Sequence, residues 1–436
     1  MLPFDTMSRG RSLLMHGYTG AIDIVSHDLA DRLASTNGDG NGDGHSNGHG
    51  EFSRYSKETM AALVERGYLT EKSEEEEHEY VHQILDVFKR RTEASINFAF
   101  QLQGSSQKIQ ESFVARLDQV FQTMNRLRDR YLGGVLALDL TRVSDTFDFL
   151  PEIIKHAGEW SYSLLVTITS DKTRQILPYL NQNQIQYLRV ASKDPKANKE
   201  FKDDIIECLS RLLDEDLKGE WLYYVDAESL AGIEQAAETA RMIKQQAKNK
   251  PEKQGLPGVT RKKGRLNFLL VSDSNLIDSN PAVRLKGDFL SVIPTQDIFL
   301  YHFVGRLIEQ AGQINFKPYF SPRGSTYVLD SECNVFILPF QAEAMGKTES
   351  KKVGQWGDGE IVLDESLVND YEAECRKSEF SDSCDNCHLS LICGGSCLRT
   401  PSLGSAHDGI PACADSFRSR LERVIPLVLF NKKAES

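Results

Sequence analysis

Five of the eight cysteines fall between residues 384 and 413, as Cys384-x2-Cys387-x5-Cys393-x3-Cys397 followed by Cys413. A thiolate cage needs four sulfurs converging on one point, and two cysteines separated by two residues bring theirs together through a tight backbone turn. Cys384 and Cys387 have that spacing. Cys393, Cys397 or Cys413 would complete the cage, around an iron–sulfur cluster or a structural zinc ion. Zinc ribbons usually offer two like knuckles, whereas here one knuckle is followed by spacings of five and three, with Gly394 and Gly395 allowing close approach of backbone. Thiolate chemistry leaves iron–sulfur and zinc both open. No secretory signal is read in the first twenty residues, which carry Arg9, Arg11 and His16 without a continuous apolar segment. A reducing, cytoplasmic setting is therefore expected, and a dense thiol cluster there reads as metal ligation before disulfides.

Other residues could do chemistry but carry weaker signals. Asp139, Thr141, Thr169, Asp171 and Asp226 come near the C-terminal ends of expected strands, the usual place for catalytic groups in α/β barrels. They form no recognisable nucleophile and base pair, and residues of this kind are more often caps or loop residues. Asp39-x-Asn41-x-Asp43-Gly44 imitates the start of a calcium loop, but the twelfth position is Gly50 and Glu51 comes one residue late. A plain linker is expected there. The acidic run Glu74 to Glu77 reads as the solvated start of a helix, where negative charge suits the dipole.

The elements that must position these residues follow from periodicity. Leu13 to Val25 reads as a hairpin with Gly17 and Gly20 near its turn, and Ser26 as the cap of a helix to Ala34. The Gly-rich stretch 37–50 reads as a flexible loop. A second helix is expected from Ser56 to Arg66, with Met60, Leu63 and Val64 on one face, ending at Gly67 before a wing strand Tyr68-Leu69-Thr70. Apolar strand-like runs at Ile96–Phe100, Gly134–Leu140, Leu164–Thr169, Ile185–Val190, Glu220–Val225 and Leu266–Val271 then alternate with helical ones such as Gln107–Tyr131, Phe201–Leu213 and Ala227–Lys244. That alternation predicts an α/β fold with a parallel sheet and right-handed crossovers, a partial (β/α)6 TIM-like barrel. The basic residues Lys244, Lys248, Lys250, Lys253, Arg261, Lys262, Lys263 and Arg265 read as a solvated connection or a docking patch for an acidic partner. A helix from Gln296 to Gly312 and a hairpin, Thr326–Leu329 turning through Asp330–Cys333 into Asn334–Leu338, precede the cysteines.

At 436 residues, 40% hydrophobic and 26% charged, the chain is expected to fold as two or three globular domains. A formal charge of −12 argues against a nucleic-acid partner, which needs a positive footprint. The longest apolar stretch, Val424 to Phe430, is short and broken by Pro426, so no membrane span is expected.

The C-terminal arrangement, down to the spacings, the Gly-Gly pair and the distal Cys413, resembles the SPASM domain of radical S-adenosylmethionine enzymes that mature ribosomal peptides. The resemblance extends over most of the chain. It implies a winged-helix-like peptide-recognition module at 1–93, a radical-SAM-like barrel at 94–315 and a SPASM-like domain at 316–436 that includes a Val353-Gly354 turn. It further implies that Cys384, Cys387, Cys393 and Cys413 hold one auxiliary 4Fe-4S cluster, with Cys397 assigned to a second. Departures from the family pattern matter more. The family places a CxxxCxxC loop after the first barrel strand, where this chain reads Gln101-Leu-Gln-Gly-Ser-Ser-Gln-Lys108, and a Gly-Gly-Glu after the second, where it reads Asp139-Leu140-Thr141. The second cluster's upstream ligands would fall around Ser321 and Pro339, Cys333 is out of position, and Cys375 has no counterpart. The resemblance therefore implies a pseudo-radical-SAM protein, with no S-adenosylmethionine bound and no radical activity of its own. It would pair, as a hetero-oligomer, with an active maturase or its precursor peptide, lending the N-terminal module as a leader clamp by strand addition. A zinc-stapled binding module and an enzyme of another type using the barrel mouth are the alternatives.

Overall fold

In the computed structural model the chain divides into two compact units that do not follow chain order: Met1–Ser95 with Asp297–Gly324 and Glu372–Ser436, and Ile96–Gln296 with Ser325–Tyr371. The structure describes residues 2–7, 11–16, 20–35, 54–69, 73, 75–76, 79–80, 82–84, 96–128, 134–181, 184–193, 200–215, 217–224, 236–243, 245, 265–272, 282–285, 288–294, 297–309, 325–339, 351–370, 387, 389–393 and 412–435. Residues 37–50, the basic residues Lys244 to Lys263, Asp226, Ser321, Cys375, Cys384 and Cys397 lie outside the described residues.

The first unit opens with strands β1 (Leu2–Met7), β2 (Arg11–Met15) and β3 (Ile22–Ser26), antiparallel in that order. Helix α1 (His27–Ser35) follows directly, with the Ser26 hydroxyl accepting from Leu29 N at 3.3 Å. Helix α2 (Lys57–Glu65) is capped in the same way by Ser56, whose hydroxyl accepts from Thr59 N. Leu14, Ala21, Leu29, Leu33 and Leu63 form the core between sheet and helices. Two expectations fail here. Val64 is 56% exposed, because the face that α2 buries runs through Met60 and Leu63 and the next residue lies about 100° further round. Tyr68 and Leu69 form a bend, not a wing strand: Gly67 turns the chain at φ +80, and Tyr68 buries its ring and donates its hydroxyl to Leu14 O and Ala21 O. Further on, Ser73 and Glu76 exchange hydrogen bonds as a capping box, which accounts for acid at that helix start.

The second unit is built on one sheet of order β10-β11-β9-β8-β7-β6-β5-β4-β12-β13-β14-β15. The six expected strands form its centre as β4 (Ile96–Gly104), β5 (Gly134–Val143), β6 (Tyr162–Thr169), β7 (Ile185–Ser192), β8 (Lys218–Tyr224) and β9 (Arg265–Ser272), all parallel. Two further parallel strands flank them, β11 (Asp288–Pro294) beside β9 and β12 (Ser325–Asp330) beside β4. Antiparallel β10 (Ala282–Leu285) ends one side; β13 (Val335–Pro339), β14 (Lys351–Gly357) and β15 (Glu360–Leu363) end the other. The fold is thus mixed α/β around a large parallel sheet.

Alternate residues such as Phe98, Leu136, Leu164 and Leu188 enter one core with α3 (Ser106–Ser112), α4 (Leu117–Arg128), α5 (Leu150–Glu159) and α6 (Lys202–Asp214). The single helix expected over Gln107–Tyr131 is broken at Phe113. Phe113 is fully buried against Phe100, and the break lets Ile109 and Val120 both reach the core. The Val353-Gly354 turn is likewise overturned. Gly354 is inside β14, where a Cβ would meet Val362 O at 2.9 Å, and the chain reverses at Asp358 and Gly359, both at positive φ. The hairpin of β12 and β13 forms as expected, with Asp330 accepting from Glu332 N and Asn334 N in its turn.

The first unit resumes with α7 (Ile298–Glu309) and ends with α8 (Ala412–Glu435), which contains Pro426. These helices pack together: Asp297, at the start of α7, is fully buried and accepts from Arg420 Nε at 2.7 Å and Arg423 Nη2 at 2.9 Å. Among the described residues no helix is long and apolar enough to cross a membrane.

Candidate functional site

Each central strand of the sheet carries polar residues within its apolar run, and strand register brings one from each into line. Gln101 pairs with Asp139, Asp139 with Thr167, Thr167 with Arg189, Arg189 with Glu220 and Glu220 with Asn267. In a parallel sheet residues at one register share a face, so the row crosses β4 to β9 over roughly 24 Å on the face turned away from the helices. Ala99 and Ala137, two residues earlier on their strands, keep the floor beside it low. Glu220 is fully buried and accepts from Arg189 Nε at 2.6 Å, so these two charges cancel. Burial pushes the Tyr187 phenol far up, and the Glu220 carboxylate adds to the shift. Asp139 Oδ1 accepts from both N and Oγ1 of Thr141, at 2.9 and 2.7 Å.

Of the mouth residues expected from sequence, the structure therefore joins Asp139 and Thr141. Thr169 ends β6, half-buried, and Asp171 is exposed in the turn Ser170–Lys172. Sequence reading missed Gln101, Thr167, Arg189, Glu220 and Asn267. The available signal was a polar residue inside each apolar strand, one among several; the register that aligns them was not available.

The rim of this face is tied together by its own side chains. Gly104 leaves β4 at φ +99, Ser105 caps α3 by accepting from Lys108 N, and Asp145 Oδ1 accepts from Ser106 N at 2.6 Å. The largely buried Lys172 ammonium donates to Ser144 O and Asp145 O. From the other side Ser331 Oγ accepts from Gln103 N and donates to Gln103 O. The N–H groups that open α3, an anion-binding feature when bare, are thus engaged by the chain itself.

The thiols separate by environment. Burial pushes the Cys208 thiol up to about 12 and the Cys333 thiol up to about 11, so both stay protonated and packed. Cys333 occupies the β12–β13 turn at φ +59. Among the proposed ligands, Cys393 is buried and closes the helical turn Ser390–Cys393 by donating its N–H to Leu389 O, and Cys387 is half-buried. Cys413 lies in the first turn of α8, its side chain outside the described residues, as are Cys384 and Cys397. No group of three or more His, Cys, Asp or Glu side chains arranged to hold a metal ion occurs among the described residues. A donor set of four thiolates would suit a 4Fe-4S centre or a zinc ion alike.

In the first unit, β3 pairs with β2 alone among the described residues, and Ile24 at its middle is 38% exposed. The opposite edge strand, β1, packs against α8.

The chain matches no protein-family model and no curated protein. Among solved structures it is similar to SuiB of Streptococcus suis bound to S-adenosylmethionine, at 12% identity and a TM-score of 0.39 over 91% of this chain and 97% of that one. A second SuiB structure aligns at 13% identity and a TM-score of 0.37 with the same coverage.

Proposed function

We propose that this chain is a radical-SAM-like protein without radical chemistry of its own, acting as a binding partner in the maturation of a ribosomally made peptide. It captures an extended peptide segment along β3, and Cys384, Cys387, Cys393 and Cys413 hold one 4Fe-4S cluster that staples the C-terminal region. The observation that carries the reading is the edge position of β3 in the N-terminal sheet, with β2 as its one strand partner among the described residues. An edge strand offers backbone groups to an incoming strand; on β3 Ile22 O already accepts from Arg66 Nη2 at 3.2 Å, so the stretch around Ile24 is the part to extend. The absence of cysteine from Gln101–Lys108 supports the non-radical part, as does the engagement of that loop by Ser105, Asp145 and Ser331.

The test is direct binding, by fluorescence anisotropy, of the leader peptide encoded beside the gene. Ile24→Lys places a charge at the centre of the edge and should weaken binding about tenfold, about 1.4 kcal/mol, with the circular dichroism spectrum unchanged. Equal binding by the variant and the parent protein sinks strand addition at β3.

A further inference from the structure

Where β2 and β3 are joined, His16 N donates to Ala21 O at 2.9 Å. Backbone groups alternate sides along an antiparallel strand, so Asp23 and Val25 turn theirs toward β2, and Ile22 and Ile24 turn theirs to the outer edge. Side chains alternate as well. Asp23 pairs with Leu14 and shares its face, the one covered by α1 and α2, whereas Ile24 pairs with Leu13 on the opposite face and is 38% exposed. Arg66 ends α2, its N–H donating to Ala62 O, and its side chain comes to this edge. Nε donates to Asp23 Oδ2 and Nη2 to Asp23 Oδ1, each at 2.8 Å, and Nη2 also donates to Ile22 O at 3.2 Å. Because the Ile22 carbonyl points outward, that last bond places the guanidinium at the outer edge of β3.

A guanidinium carries five N–H donors in one plane, and three are engaged here. The two on Nη1 have no partner among the described residues. Only 21% of the Arg66 side chain is exposed, so a carboxylate that reaches Nη1 makes charge-assisted hydrogen bonds with less screening than at an open surface. Directly opposite residues of neighbouring strands have Cβ atoms about 5 Å apart. The residue of an added strand that lies beside Asp23 therefore reaches Arg66, and its neighbour, on the other face, reaches Ile24. Resting on the reading of β3 as a peptide-binding edge, we propose that Arg66 selects the captured strand by taking an Asp or Glu side chain beside Asp23, next in sequence to an apolar residue beside Ile24. Arg66 then bridges two carboxylates, that of Asp23 on Nε and Nη2 and that of the peptide on Nη1. A Lys or Arg in the peptide at that place meets a like charge, and a neutral residue leaves Nη1 to water.

Selection of phage-displayed random dodecapeptides on the immobilised full chain tests this, with Ile24→Lys protein as the counter-selection. Peptides that bind the parent protein and not the variant should share an acid adjacent to an apolar residue. In fluorescence anisotropy a synthetic copy of one such peptide should lose about tenfold in affinity when its acid is replaced by the matching amide. Arg66→Lys keeps a cation for Asp23 and gives up the planar fork, so it should bind the acid and amide forms within about twofold of each other. An equal loss on both proteins means that the acid is read elsewhere and overturns the role of Arg66. Equal binding of acid and amide by the parent protein overturns it too, however well the variant folds. Both of these results leave strand capture at β3 standing. Recovery of no peptide that distinguishes the parent protein from Ile24→Lys overturns strand capture, and the selection by Arg66 with it.

Discussion

His16 lies where Gly67 and Tyr68 close over the N-terminal hairpin, 5.9 Å from the Tyr68 ring, and burial lowers its pKa from 6.5 to about 4. The unfolded chain therefore takes up a proton first as pH falls. The stability His16 contributes is complete above about pH 6.5 and is lost as pH drops through about 4, amounting to roughly 3 kcal/mol. His16→Gln should flatten that dependence in thermal melts between pH 4 and 7; an unchanged slope would assign it elsewhere. Arg189 poses a different problem, because its partner Glu220 has no exposed surface. Arg189→Ala leaves that carboxylate buried beside Tyr187 and should cost about 3–5 kcal/mol in chemical denaturation. A loss under about 1 kcal/mol, the range of exposed pairs, would show that water reaches Glu220.

At the scale of elements, the β14–β15 hairpin depends on one close approach. A Cβ at Gly354 would lie 2.7 Å from Leu363 Cδ2 and 2.9 Å from Val362 O, and the backbone atom cannot swing aside as a side chain can. Gly354→Ala should therefore lower stability by about 1–3 kcal/mol, with raised exchange at 351–363 as the local readout; exchange at parent rates would mean that the hairpin relaxes without cost. The far edge of β15 is itself covered, since α4 packs on it and Arg126 donates to Ile361 O. A sheet of this length is thus protected at that end from pairing with other chains.

For the whole molecule, the proposed chemistry divides into an absence and a presence. Anaerobically reconstituted protein should produce no 5′-deoxyadenosine from S-adenosylmethionine under strong reductant, because no three-thiolate loop follows β4. Detectable product would overturn the partner reading. The same preparation should contain about four irons per chain, lost on Cys393→Ala and retained on Cys397→Ala. Stoichiometric zinc in place of iron would convert the site to a structural staple of the other kind.

Periodicity and spacing alone determined the six central strands, the β12–β13 hairpin, and the serine cap of α1. Each is a local pattern: an apolar run, a turn residue, or a hydroxyl three residues ahead of an N–H. The cysteine spacing proposes a thiolate donor set, with iron and zinc left open. Tertiary structure alone decided the break at Phe113, the strand through Gly354 and the bend at Tyr68, because each depends on what a distant side chain or strand leaves room for. It also decided the alignment of Gln101, Asp139, Thr167, Arg189, Glu220 and Asn267 into one row. A polar residue in an apolar strand is visible in sequence, but its neighbours across the sheet are set by register, and register is fixed only when the strands pack.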